Sequence, residues 1–202
     1  AGEVLKYKGN IVTTYYYSTS CGKTTTMKAW GTSENESNGY LQSVEVKDKN
    51  GDYEKSLPWY RWEADIDQDI LSTLLVENVK KNIGTVQSLE VTKTGPGGVA
   101  LQIKAVGDKG SITVDTENKI RKALGGNGYE IKKQDGTVAQ SGTLLPSAFF
   151  KVKKAGNIFK ITGGGYGHGI GMSQNGANEM AKTGKNYQEI LQMFYPGTTI
   201  EK

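Results

Sequence analysis

The stretch Ile161-Thr-Gly-Gly-Gly-Tyr-Gly-His-Gly-Ile-Gly-Met-Ser-Gln-Asn-Gly-Ala177 constrains this chain more than any other. Glycine occupies every second position from Gly163 to Gly171. Side chains are thereby stripped away, and the backbone can take positive φ and approach a partner closely. The one histidine of the sequence, His168, stands between Gly167 and Gly169. Ser173 follows as a candidate N-cap, and Ala177, Met180 and Ala181 give a short helix its apolar face. The pattern reads as a strand, a glycine-lined loop carrying an imidazole, and the positive end of a helix. Such an arrangement suits a polar or anionic ligand. A dinucleotide fingerprint is excluded, because His168 stands where its third glycine belongs and no strand with an acidic residue follows. A lone histidine among glycines also has a structural reading, as the filler of a tight turn. The density of glycine beside Met172-Ser-Gln-Asn-Gly-Ala177 favours a ligand site.

Periodicity supplies the rest of the organisation. Glu3–Tyr7 and Ile11–Thr19 read as strands joined through Lys8-Gly-Asn10, and Tyr40–Val46 as another. Ile66, Ile70, Leu71, Leu74, Leu75 and Val79 share one helical face, with Gly84 as the stop, which predicts a helix over 66–81. Strands follow at Val86–Thr92, Val99–Val106 and Ser111–Val114, and a short helix at Glu117–Leu124. The segment 126–142 is polar hairpin material; Phe149–Val152 and Asn157–Thr162 lead back into the glycine loop. Helices are expected at 173–183 and at 186–194, the second with Asn186 and Glu189 as a capping pair and Pro196-Gly197 beyond its end. The fold class is therefore α+β, mainly antiparallel strands with a few short helices, the C-terminal ones following the glycine-rich loop. Residues 1–202 read as one domain, with a smaller sub-domain over about 63–142.

A second cluster, Ser18-Thr-Ser-Cys-Gly-Lys-Thr-Thr-Thr26, consists of small hydroxyl residues at a strand end. It lacks the spacing of a phosphate-binding P-loop. Cys21 is a nucleophile if paired with His168, but reads better as a small buried residue. Three successive tyrosines, Tyr15 to Tyr17, follow ordinary β-propensity, and Trp59 and Trp62 are equally core residues or sugar stackers.

With 36% hydrophobic and 9% aromatic residues, 202 residues suffice for a real core. No apolar run approaches the ~18 residues of a membrane span. The charge of +4 is mild and its lysines are scattered, so nucleic acid is not indicated, whereas an anionic polymer such as cell wall fits. One cysteine and one histidine are too few for a zinc site, and no cofactor is expected. The residues after Ala1 carry no leader pattern, and a chain opening directly on a strand reads as a piece of a longer protein.

Two blocks then carry a resemblance. Gly165-Tyr-Gly-His-Gly-Ile-Gly-Met-Ser-Gln-Asn-Gly-Ala177, with Tyr187-Gln-Glu-Ile-Leu-Gln-Met-Phe-Tyr-Pro-Gly-Thr198, resembles the C-terminal signature of the SpoIID/LytB family. Near the other end, Gly2–Asn10, Tyr17-Ser-Thr-Ser-Cys-Gly-Lys-Thr24 and Ala29-Trp-Gly31 resemble the family's hairpin leading into Ser-x-Ser-Gly-Gly-x-Thr, with Cys21 where the family commonly has glycine. Arg121 stands where the family often has an arginine. The resemblance implies an extracytoplasmic protein acting on peptidoglycan glycan strands lacking stem peptides. The implied reaction is lytic transglycosylation: one carboxylic acid protonates the bond between N-acetylmuramic acid and N-acetylglucosamine, and its conjugate base helps close a 1,6-anhydro ring. It implies a substrate groove of Thr19, Ser20, Cys21, Gly22, Thr24, Tyr166, Gly167, His168, Gly169, Ser173 and Gln174. The family's catalytic glutamate lies in an upstream segment that nothing here resembles, so the general acid is expected outside this chain. Glu3, Glu63, Asp65 and Glu179 are the carboxylates nearest the motifs, without the family's context. The alternative is a non-catalytic module that binds wall glycan or enhances an amidase. Other cell-wall hydrolases are then candidate partners, and the full-length protein is a candidate for membrane anchoring.

Overall fold

Along Trp62-Glu-Ala-Asp-Ile-Asp67 buried and exposed side chains alternate, the period of a strand with one face on a core. This strand organises the computed structural model, which describes residues 2–202. In chain order the strands are β1 (Val4–Tyr7), β2 (Asn10–Ile11), β3 (Tyr16–Tyr17), β4 (Lys47–Asp48), β5 (Gly51–Asp52), β6 (Trp62–Asp67), β7 (Val86–Thr94) and β8 (Ala100–Gly107). There follow β9 (Gly110–Asp115), β10 (Glu130–Lys133), β11 (Val138–Gln140), β12 (Phe150–Ala155), β13 (Ile158–Gly163), β14 (Met172–Ser173) and β15 (Thr199–Glu201). The helices are α1 (Gln68–Val79), α2 (Glu117–Leu124), α3 (Gln174–Lys182) and α4 (Tyr187–Phe194). The expected α+β class holds, with antiparallel pairing in every sheet except the short β3–β14 pair.

The largest sheet has the order β11-β10-β6-β13-β12. Its inner face carries Trp62, Ala64, Ile66, Ile131, Phe159 and Ile161, all buried. A second sheet, β7-β8-β9, is backed by α1 and α2, whose Leu71, Leu75, Ile120 and Leu124 are fully buried with Ile83 and Ile103. The third, β15-β1-β2, joins the two ends of the described chain, with Val4 opposite Glu201. Lys8 and Gly9 both have positive φ (49° and 81°), as a two-residue hairpin turn requires.

Four expectations are corrected. Ile66 belongs to β6 and not to the helix, because Asp67 caps α1 by accepting from the Asp69 amide at 2.8 Å. The same helix ends at Lys80 (φ 60°), not at Gly84, since the chain must turn there for Ile83 to reach the core. Ile11–Thr19 is not one strand: only Asn10–Ile11 and Tyr16–Tyr17 pair, the latter in parallel with Met172–Ser173. Tyr40–Val46 is likewise irregular, held to the 22–24 segment by Thr24 N–H to Val44 O (2.9 Å), Ser43 Oγ to Thr24 O (2.6 Å) and Val46 N–H to Gly22 O (2.8 Å). The C-terminal strand β15 was not anticipated by pattern, being only three residues long.

The β3–β14 pairing depends on Gly171. Its φ is 77°, and a Cβ there would overlap the Tyr15 carbonyl, which the Met172 amide needs as acceptor at 3.0 Å. Gly171→Ala is therefore expected to destabilise the domain by about 2–4 kcal/mol, through strain and the lost pairing, as read by urea unfolding.

Candidate functional site

The two motif segments are sewn edge to edge. The amide and carbonyl of Thr19 bond the carbonyl and amide of Tyr166 at 3.0 and 2.8 Å. The Thr25 amide donates to Gly169 O (2.7 Å) and the Asn175 amide to Ser18 O (3.0 Å), while Asn175 Nδ2 donates to Thr19 Oγ1 (2.9 Å). A loop of small residues can do this because no side chain intervenes. At Gly164, for instance, a Cβ would press on Cys21 Cβ (2.7 Å) and Tyr60 O (2.6 Å).

At the middle of this seam lies Glu54, 0% exposed. Its carboxylate accepts from the Ser20 amide (2.9 Å), from Ser20 Oγ and from Ser173 Oγ (2.7 Å). Ser173 Oγ in turn accepts from the Gly176 amide at 3.1 Å, capping α3, and from the Ser20 amide at 3.2 Å. Burial raises the Glu54 carboxyl above its ordinary value, against the lowering effect of the serine hydrogen bonds. Tyr17, also buried beside it, is pushed well up by burial first and by the Glu54 charge second.

His168 packs in a different neighbourhood. Its ring meets Trp30 edge-on at 5.0 Å and Tyr17 at 5.5 Å between centroids. Nδ1 accepts from the Ile170 amide at 3.0 Å, which leaves the proton of the neutral ring on Nε2. Trp30 is itself oriented by donating Nε1–H to Glu117 (3.2 Å), which pairs with Arg121 at 2.7 Å. Both partners of that ion pair are buried, and Arg121 Nε also donates to Leu145 O at 2.7 Å. Burial holds His168 below the ordinary imidazole range, with Glu117 opposing that shift. The orienting partner is thus a backbone amide from the loop itself.

A cleft of about 910 Å³ opens over one end of the five-stranded sheet. Its walls are the Cys21–Lys23 loop, the Gly97-Gly98 turn and the sheet residues around Trp62, Phe150 and Gly163. Six cations, Lys23, Lys47, Arg61, Lys132, Lys133 and Lys151, face three carboxylates, Glu45, Asp52 and Glu63, a surplus of three positive charges. Glu45 is drawn below the ordinary carboxylate range by Lys47 (2.6 Å) and Lys23 (3.5 Å). Asp52 accepts from the Tyr60 hydroxyl, whose pKa is pushed up to about 12 by burial and by that bond. Lys133 and Lys151 have no carboxylate partner among the described residues. Such a cleft concentrates anions.

Residues 23–171 match a family described as a domain of unknown function, DUF8618. The chain belongs to that family. The DUF8618 chain is also SpoIID-like along its length. It is 29% identical to stage II sporulation protein D of Bacillus subtilis over all of this chain and 48% of that protein. The amidase enhancer of the same organism is 26% identical over 98% of this chain and 31% of its own length. An uncharacterized protein of Brachyspira hyodysenteriae is 41% identical over 95 residues, 46% of this chain and 26% of that protein. The chain spans about half the length, or less, of these curated relatives.

Of the site residues read from the sequence of this DUF8618 chain, Cys21 and Gly22 line the cleft. Thr19, Ser20, Thr24, Gly169 and Ser173 are buried in the seam behind it. Tyr166 and Gln174 are exposed, whereas Gly167 and His168 are half-buried and lie outside the cleft lining. Burial also raises the Cys21 thiol, with Arg61 opposing, which keeps it out of the nucleophilic thiolate form. Sequence reasoning missed Glu54 and the cationic wall. Glu54 sits in Asp52-Tyr-Glu-Lys55, where nothing marks one acid as buried; Lys132-Lys133 before the Asp135-Gly136 turn was the one available signal for the wall.

Two expectations follow. Glu54→Ala should destabilise the domain by about 2–4 kcal/mol, since three buried donors lose their acceptor; an unchanged melting temperature would refute the role given to it. His168, as the one histidine, gives a single imidazole signal in proton NMR. Its midpoint should lie below 6.5, the ordinary value. A neutral buried ring binds fewer protons than in the unfolded chain. Its stabilisation is therefore present above 6.5 and is lost as pH falls from there through the folded value.

Proposed function

We propose that this chain is the glycan-binding part of a cell-wall remodelling protein that acts outside the cytoplasm, and that the cationic cleft holds a peptidoglycan strand. The observation that carries this reading is the cleft itself. It has a volume of about 910 Å³, is walled by one of the two SpoIID-like motif segments, and is positive in net charge. A peptide-free strand exposes one lactyl carboxylate per disaccharide, and those charges suit Lys133 and Lys151. The names of the relatives, one a sporulation protein and one an amidase enhancer, agree with wall remodelling.

The finer reading is lytic transglycosylation by the whole protein, with the proton donor supplied from outside these 202 residues. The acid must be protonated at working pH and must reach the glycosidic oxygen. Glu54 fails the second, being sealed from solvent with its oxygens taken by donors. Glu45 fails the first, because its lysines hold it ionised. Glu63 lies open to solvent with Lys132 at 3.6 Å. The cleft therefore binds and orients, and a carboxylic acid brought to it performs the cut. The likeness to the amidase enhancer over nearly the whole chain favours a second reading, a module that grips glycan and never cuts.

The purified chain should sediment with peptide-free peptidoglycan, less so as salt rises, because screening weakens the attraction. Lys133→Glu with Lys151→Glu should weaken binding about tenfold, the equivalent of about 1.4 kcal/mol. No 1,6-anhydro product should appear. Release of that product would place the acid within this chain, and absence of binding would sink the glycan reading altogether.

A further inference from the structure

One exposed aromatic is held more rigidly than its surroundings need. Tyr166 is 42% exposed, yet its backbone is bonded on both sides to Thr19. Its neighbours are fixed as well, Gly165 N–H on Trp59 O at 2.8 Å and Gly167 N–H on Pro146 O at 2.9 Å. The Tyr166 ring leans on Trp59, 4.8 Å between centroids and tilted by 56°. Lys133 Nζ stands 5.2 Å from the Trp59 ring centre. With that cation on it and Tyr166 against it, Trp59 acts as a half-buried buttress, while Tyr166 itself stays exposed. The pair adjoins the cleft, since Arg61 and Lys133 beside Trp59, and Gly163 and Gly164 before Tyr166, all line it.

We propose that the Tyr166 ring is a prefixed stacking plate for one pyranose of the bound strand, with Lys133 placed to meet a carboxylate on that strand. The inference rests on the glycan-binding reading and extends it to a particular subsite. The negative face of an aromatic ring suits the C–H face of a sugar. A ring on an immobile backbone gives up little conformational freedom on binding. Lys133 on Trp59 and the surplus of cations in the adjoining cleft fit an acidic amino sugar strand better than a neutral one.

The test is calorimetric titration with a peptide-free tetrasaccharide of alternating N-acetylglucosamine and N-acetylmuramic acid. Tyr166→Ala should weaken binding on the order of tenfold and Tyr166→Phe should retain it, both melting like the wild type. Lys133→Gln should weaken binding of this tetrasaccharide and not of the neutral N-acetylglucosamine tetrasaccharide. Wild-type affinity in Tyr166→Ala overturns the plate, and equal losses for both sugars in Lys133→Gln overturn the carboxylate contact. A wild type that binds neither sugar overturns the glycan-binding reading itself.

Discussion

A single buried carboxylate, Glu54, is what the two halves of the motif region share. Its oxygens collect donors from Ser20 and Ser173, which are 153 residues apart in sequence. In a medium of low polarity each of those bonds is strong, and each donor would be costly to leave unpaired. Fixing Ser173 also fixes the first turn of α3, and fixing Ser20 fixes the strand end that bonds Tyr166. The glycine loop is thus positioned by a polar pin and not by hydrophobic packing, for which its residues are too small.

That arrangement separates tasks that the sequence presents together. The hydroxyls of Thr19, Ser20 and Ser173 face inward and hold the seam, while that of Thr24 ties the Gln42–Val44 backbone. Most groups able to meet an anionic ligand come from elsewhere, from β4, β10, β12 and the segment before β6, with Lys23 alone from the motif segment. His168 belongs to a third group, wedged between Trp30 and Tyr17 with the Glu117–Arg121 pair behind. Its lowered affinity for protons makes it a neutral donor through Nε2, not the imidazolium that an acidic sugar would prefer.

Elements whose signal was local were legible in the sequence. The α2 boundaries follow from Glu117 to Leu124, the α4 cap from Asn186 and Glu189, and the hairpin turn from Lys8-Gly9. Where tertiary pairing decided, the sequence was ambiguous. Ile66 fits the apolar period of α1 but also the alternation of β6, and Asp67 settles the boundary by capping. Tyr16-Tyr17 ends as a two-residue strand because its partner is Met172-Ser173, which no local pattern reveals. The proximity of the two motif segments was readable from their shared smallness. The inward aim of their hydroxyls was not, because it depends on one acid among 21 that carries no local mark of burial.

The β1–β15 ladder has a kinetic consequence. Val4 pairs with Glu201 and Leu5 with Ile200, so contacts of nearly maximal sequence separation close the domain. Loop-closure entropy must be met before such pairs stabilise anything, which makes folding slow and late. While the segment near residue 200 is still being synthesised, β1 lacks its neighbour, and β3 has no partner until Met172 and Ser173 arrive. These open edges are sites where a growing chain can pair wrongly.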